Sequence, residues 1–213
     1  TLVQPNYIQV YDTLPPPQDP IYSVSVISNS EVKIKWANSA VLDLGAYKLW
    51  RLDPSSSNYV NVYTDNNPVN SSMNPESEYI EQGLNTLVNT YTYKLQTLDR
   101  CSKSLPISVL QPHTTVNVSA QKNGSAIDVS WTPYGGCPVA TYEVSRVEVS
   151  NGSTALIATV PGTQLFYKDT TLMCPVEYSY KIMATDLCGL PYTSYSDTAA
   201  ATPGYMLEDQ EAI

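Results

Sequence analysis

One histidine, one phenylalanine and eleven basic residues in a chain of 213 are scarcities that each remove a class of function. With His113 alone, neither a histidine-based triad nor a zinc hydrolase site can be assembled. No Gly-x-Ser-x-Gly, His-Glu-x-x-His or phosphate-cradling glycine loop is present either. The basic residues are scattered among twenty Asp and Glu, for a formal charge of -9 and a pI near 4.4. Nucleic acid and anionic membrane surfaces, which need clustered Lys and Arg, are therefore not expected as partners. No run approaches the roughly 18 apolar residues of a membrane span, so direct membrane insertion is not expected. The N-terminus lacks the basic start and apolar stretch of a signal peptide. It begins without Met and runs straight into Tyr7-Ile-Gln-Val-Tyr11, which reads as a piece of a longer protein, with residues 1–12 forming an added edge strand or the end of a preceding module.

Against these scarcities stand 17 tyrosines, many Val, Thr, Ser and Asn, and only 15% charged residues, a composition suited to strands and polar turns. The pattern repeats. Glu31-Val-Lys-Ile-Lys-Trp36 and Ala126-Ile-Asp-Val-Ser-Trp131 lie 95 residues apart, each followed eleven residues later by a tyrosine, Tyr47 and Tyr142. Tyr91-Thr-Tyr-Lys-Leu95 and Tyr178-Ser-Tyr-Lys-Ile182 repeat at a spacing of 87, so the first unit carries eight extra residues between its landmarks. Two units of about 100 residues can each bury a core without metal or cofactor. Apolar residues at period two, broken by turn residues, predict seven short strands in each unit. In the first they fall at about 22–27, 32–36, 46–52, 59–63, 79–80, 91–98 and 107–110, and in the second at about 115–120, 126–131, 141–149, 155–160, 165–167, 177–185 and 194–200. Gln111-Pro112-His113 is too short and too stiff to be a free tether, and predicts two units held end to end.

A Trp closing the second strand, a Tyr in the third and a Tyr opening the sixth resemble the fibronectin type III fold. Leu172, six residues before Tyr178, is similar to that family's tyrosine corner, whereas Leu87 stands only four residues before Tyr91 and departs from it. The resemblance implies an all-β chain of two tandem fibronectin type III-like sandwiches. Its parts are an N-terminal extension (1–17), domain 1 (18–110), a linker (111–113), domain 2 (114–203) and a tail (204–213). A narrower likeness rests on His113-Thr-Thr-Val-Asn-Val118, Ile127-Asp-Val-Ser-Trp-Thr-Pro-Tyr134, Thr141-Tyr-Glu-Val-Ser-Arg146, Cys174 and Ser194-Tyr-Ser196. Together these resemble modules of large secreted Bacteroidota proteins exported by the type IX system and associated with gliding motility. That likeness implies an exported, extracellular or cell-surface location and a role as spacer or adhesive unit.

Four cysteines favour an oxidising compartment and leave three pairings open. In such a sandwich Cys137 and Cys188 fall in loops at the same pole of domain 2. Their disulfide is expected, contributing on the order of 3 to 4.7 kcal/mol by loop closure. Asp12-Thr13-Leu, Asp169-Thr170-Thr and Asp197-Thr198-Ala resemble the Bacteroidota O-glycan acceptor pattern, which makes Thr13, Thr170 and Thr198 candidate acceptors beside their plainer role as turn or strand residues.

Glu76, Glu78 and Glu81 are the carboxylates close enough in sequence to invite comparison with a glycosidase pair or a calcium site. They read instead as a solvated loop made by the extra residues of domain 1, without Asp-x-Asp-x-Asp-Gly spacing. Trp50 points outward by period two, where domain 2 has Ser145, with Tyr59 and Tyr63 on the next strand. It is either a platform for carbohydrate or protein or is covered by residues 1–12 or another module. The expected function is a non-catalytic structural or interaction module whose partners are neighbouring domains of the same polypeptide and a protein or carbohydrate ligand. The alternative is an accessory segment of a larger secreted hydrolase.

Overall fold

Val32, Ile34 and Trp36 alternate with Lys33 and Lys35, and the structure buries the first set while leaving the second on the outside. The same alternation is seen along Tyr178–Asp186, whereas Thr92–Asp99 is buried on both faces along nearly its whole length. The computed structural model describes residues 14–187 and 192–204. The first half contains β1 (Ile21–Ser28), β2 (Glu31–Ala37), β3 (Leu44–Leu52), β4 (Tyr59–Asp65), β5 (Glu76–Glu81), β6 (Thr92–Asp99) and β7 (His113–Thr114). The second contains β8 (Val118–Asn123), β9 (Ala126–Trp131), β10 (Val139–Glu148), β11 (Thr154–Pro161), β12 (Phe166–Asp169), β13 (Tyr178–Asp186) and β14 (Thr193–Ala201). Sheets β1-β2-β5 and β4-β3-β6-β7 face each other in the first half, and β12-β9-β8 and β11-β10-β13-β14 in the second. The chain is all-β, two tandem fibronectin type III-like sandwiches. Each core is centred on a Trp and Tyr in edge contact, Trp36 with Tyr47 at 5.9 Å and Trp131 with Tyr142 at 5.6 Å between ring centres.

Residues 107–110 do not form the expected strand. Ile107–Val109 is a single turn of 3-10 helix behind Pro106. A proline has no N–H to give a ladder, and Pro106 and Pro112 bracket this segment. The outward side chains of β6 take hold of it instead. Lys94 Nζ donates to Ile107 O at 2.9 Å, and Gln96 Nε2 donates to Ser104 Oγ and Leu105 O at 2.9 and 2.8 Å. The segment therefore lies over the sheet rather than beside it. The place next to β6 passes to β7, in which His113 pairs with Tyr93 and Thr114 with Thr92.

The corner of domain 1 is intact despite the spacing of Leu87. Asn85 N donates to Tyr91 Oη at 2.7 Å, as Met173 N does to Tyr178 Oη at 3.2 Å. Leu84 packs on the core and Leu87 is exposed, so the leucine that serves this corner stands seven residues before the tyrosine.

The two sandwiches are not strung end to end. They lie side by side, with β1 running parallel to β14. Tyr22 stacks on Tyr192 at 4.1 Å, Val24 N donates to Ser194 Oγ at 3.3 Å, and Tyr195 N donates to Ser25 Oγ at 3.2 Å. These contacts share one register, so serine hydroxyls bridge two strand edges that make no ladder with each other. The linker is clamped as well. Thr114 exchanges both backbone hydrogen bonds with Gly135 while β7 pairs with β6, and Asn117 Nδ2 donates to Thr86 O at 3.1 Å and to Asp197 Oδ2 at 2.9 Å. Gly136, at φ +128, sits where any Cβ would run into the His113 ring, so this approach needs glycine. Tyr134 helps to fix the linker: its hydroxyl lies 3.1 Å from His113 Nδ1. The buried residues of both sandwiches form one continuous cluster.

Candidate functional site

The two halves carry the same buried ionic group. In domain 1, Arg51 Nε donates to Glu81 Oε1 at 2.9 Å and Tyr93 Oη to Glu81 Oε2 at 2.8 Å. In domain 2, Arg146 Nη1 and Tyr180 Oη donate to Asp169 Oδ2 at 2.8 and 3.0 Å. Burial, then the adjacent carboxylate, pushes the Tyr93 and Tyr180 phenols well above their ordinary range. Each arginine also lies over the corner tyrosine, Tyr91 at 5.8 Å or Tyr178 at 5.0 Å. Glu81 is thus no solvated carboxylate. It closes β5, a strand and not a loop, and is 8% exposed with both oxygens engaged. This pairing had a signal in the sequence: Arg51 and Arg146 stand 95 residues apart, and Tyr93 and Tyr180 stand 87 apart, the two spacings of the repeat.

The remaining candidates of domain 1 fall on two separate surfaces. Trp50 and Tyr59 face outward from β3 and β4. Trp50 is half-buried, its indole N–H donating to Gln96 Oε1 at 3.0 Å, and Lys94 Nζ lies 4.6 Å from the centre of the Tyr59 ring. Gln96 and Lys94 are the residues that hold segment 104–109, so the Trp50 edge is tied into that internal cover. Tyr63 lies on the other side of β4. It stacks on Tyr79 at 4.3 Å and lines a cleft of about 370 Å³ with Lys35, Trp36, Asp65, Asn74, Glu76 and Glu78. Desolvation, and after it the nearby Asp65 carboxylate, raises the Tyr63 phenol above its ordinary value. Glu76 and Glu78 are both held by lysines across the strand pair, at 3.5 to 3.8 Å from Lys33 and Lys35. Among the described residues no group of three or more His, Cys, Asp or Glu is placed to hold a metal ion.

In domain 2, Thr170 and Thr198 are exposed, but the aspartates before them are buried and committed. Asp169 serves the ionic group, and Asp197 accepts from Val118 N and Asn117 Nδ2 at the joint. Desolvation raises the Asp197 carboxyl to about 6, against the opposing hydrogen bonds from the Val118 backbone and its own backbone. Thr13 and Cys188 lie outside the described residues. Cys137 is buried beside the linker and lines a hollow of about 210 Å³ with Asp19, Ile21, Leu95 and His113, whereas Cys101 and Cys174 are free thiols.

No family model and no curated protein matches this chain. Among solved structures, a two-domain fibronectin type III segment of chicken tenascin is similar at 22% identity and a TM-score of 0.31, over 88% of this chain and 97% of that one. The FN1-FN3 domains of chicken CNTN1 are similar at 15% identity and a TM-score of 0.34, over 90% of this chain and 67% of that one. Pectate lyase Pel3 from Pectobacterium carotovorum is similar at 19% identity and a TM-score of 0.37 over 44% of this chain. This chain spans only 28% of that lyase. At such scores the fold rests on the strand order and registers above, and the lyase likeness carries nothing about activity.

Proposed function

We propose that this chain is a rigid, non-catalytic spacing and interaction module of a secreted or cell-surface bacterial protein. The observation that carries the reading is the joint. A two-point attachment, β1 along β14 and the linker between β6 and the Gly135 loop, makes one body of two sandwiches and fixes what projects from either end. Fixed geometry is what a spacer supplies to its neighbours, since a flexible tether would lose it. The carboxylates nearest to catalytic use support the same reading: Glu81 is closed into an ion pair, and Glu76 and Glu78 face lysines. An acidic net charge of -9 suits an exported surface protein that stays soluble without binding polyanions nonspecifically. A disulfide between Cys137 and Cys188 belongs to this proposal, supported by the burial of Cys137 and by the free state of Cys101 and Cys174.

Antibody labelling of intact producing cells tests the location, with surface or medium staining expected and a purely cytoplasmic signal overturning it. Small-angle scattering of the purified chain tests the mechanics. One compact side-by-side envelope is expected, and an ensemble of extended shapes would overturn the spacer reading.

A further inference from the structure

The side-by-side joint leaves a furrow on its outer face. We propose that this furrow binds an anionic, uronate-bearing oligosaccharide. Its broader part, about 350 Å³, is lined by Ser23, Ser25, Lys33, Lys35, Tyr192 and Tyr195, and a second hollow of about 140 Å³ continues it past Ile27 to Lys181 and Thr198. Binding sites favour such junctions, where two units supply walls that neither has alone.

Charge selects the ligand. Lys33, Lys35 and Lys181 border this one furrow in a chain whose net charge is -9; the lining of its broader part holds no carboxylate, and the Asp197 that lines the smaller hollow is buried, accepting from Val118 N and Asn117 Nδ2. Glu76 and Glu78 hold Lys33 and Lys35 at 3.5 to 3.8 Å, and Glu76 Oε1 also accepts from Tyr192 Oη at 3.3 Å at the end of the furrow; the ammonium groups are oriented without being closed off, since the lysine side chains keep 31% and 38% of their exposure. Lys181 has no carboxylate partner in the ion pairs of the described residues; its Nζ sits 5.1 Å from the centre of the Tyr195 ring. Tyr195 is 39% exposed and Ile27 42%, which gives an apolar floor between cationic banks. A sugar ring stacked on Tyr195 would place its carboxylate beside Lys181 and its hydroxyls near the Thr193 and Thr198 side chains.

The seam itself argues against an acidic peptide. Peptides gain most by adding a strand to a free edge, and here the β1 and β14 edges face each other, bridged by Ser25 and Ser194. A ligand must therefore bind through side chains alone. The proposal rests on the rigid-joint reading, because the furrow exists only while β1 and β14 are docked.

The experiment is an NMR titration of the full chain at low salt with a hexamer of mannuronic acid, with cellohexaose and hexaglutamate as controls. The uronate should shift resonances of Tyr195, Lys33 and Lys181. Lys33→Ala combined with Lys181→Ala should weaken it on the order of tenfold, as should Tyr195→Ala, each with an unchanged melting temperature. Equal binding of cellohexaose would overturn the charge argument, and equal binding of hexaglutamate would overturn the choice of a sugar. No binding of the uronate, or binding indifferent to all three residues, would overturn the site. Scattering from the same samples separates the two failures: a compact envelope without binding sinks the furrow alone, whereas an extended ensemble sinks the joint beneath it.

Discussion

Asp169→Ala removes the acceptor of four hydrogen bonds, from Arg146 Nη1, Tyr180 Oη, Thr171 N and Thr171 Oγ1, at a position with no exposed surface. The cost is mostly what remains behind. Arg146 would be left charged and pointing into the sandwich with only Thr171 O and Oγ1 as acceptors. Breaking one partner of a buried pair costs about 3 to 5 kcal/mol. The Arg146 side chain keeps 18% exposure, so water can reach it and the lower end, about 3 kcal/mol, applies. That is a large part of the roughly 5 to 15 kcal/mol by which a domain is stable. In urea unfolding followed by tryptophan fluorescence it should lower the midpoint by about 1 M or more. Arg146→Met with Asp169→Leu and Tyr180→Phe removes both charges and the phenol at once, leaving only Thr171 N and Oγ1 to find another acceptor, and should recover most of the loss, to within about 1 to 2 kcal/mol of the unmodified protein. The reasoning fails if Asp169→Ala shifts the midpoint by less than about 0.3 M, or if the triple variant is as unstable as the sum of its parts.

Three further outcomes follow from the core, the joint and the cysteines. Trp36→Ala should cost about 3 to 5 kcal/mol as a core deletion. Trp50→Ala loses one hydrogen bond and a half-buried ring and should cost about 1 to 2 kcal/mol; equal losses by urea titration would show that Trp50 is core. Acid should have opposing effects on the joint. Burial lowers His113 from 6.5 to about 4, so its contribution is present above pH 6.5 and lost as pH falls through about 4. Asp197, raised from 3.8 to about 6, contributes stability present below pH 3.8 and lost as pH rises through about 6. Asp197→Asn should therefore make stability fall more steeply between pH 6 and 4 than in the unmodified protein, and an unchanged slope by urea titration would contradict the assignment. A non-reducing peptide map should join Cys137 to Cys188 while iodoacetamide modifies exposed Cys101 faster than half-buried Cys174. Any other partner for Cys188 would refute that bridge.

Period two was enough to find the sandwich cores, because Val32, Ile34, Trp36 and their counterparts Ile127, Val129 and Trp131 are apolar at alternate positions of strands with one wet face. The same rule hid the joint. Ser25 and Ser194 are polar edge-strand residues that alternation assigns to solvent, yet each is at most 8% exposed, because the strand of the other domain lies against them. For a related reason the pattern predicts a strand only at 79–80, with Glu76, Glu78 and Glu81 in a solvated loop, where the structure has the whole of β5. Glu-Ser-Glu-Tyr-Ile-Glu offers only two apolar residues, and Glu81 is inward because Arg51 and Tyr93 neutralise it. The place of segment 104–109 depends on Lys94 and Gln96 finding its carbonyls across the sheet, a long-range choice that local pattern does not encode.

The rigid joint is the central claim, and a distance between the two domains tests it most directly. With Cys101→Ser and Cys174→Ser, spin labels at Ser56→Cys and Ser150→Cys occupy exposed turns, one in each sandwich. Pulsed electron resonance should give a single narrow distance distribution for this pair. A broad or multiply peaked distribution, as two domains on a free tether would produce, would contradict the account.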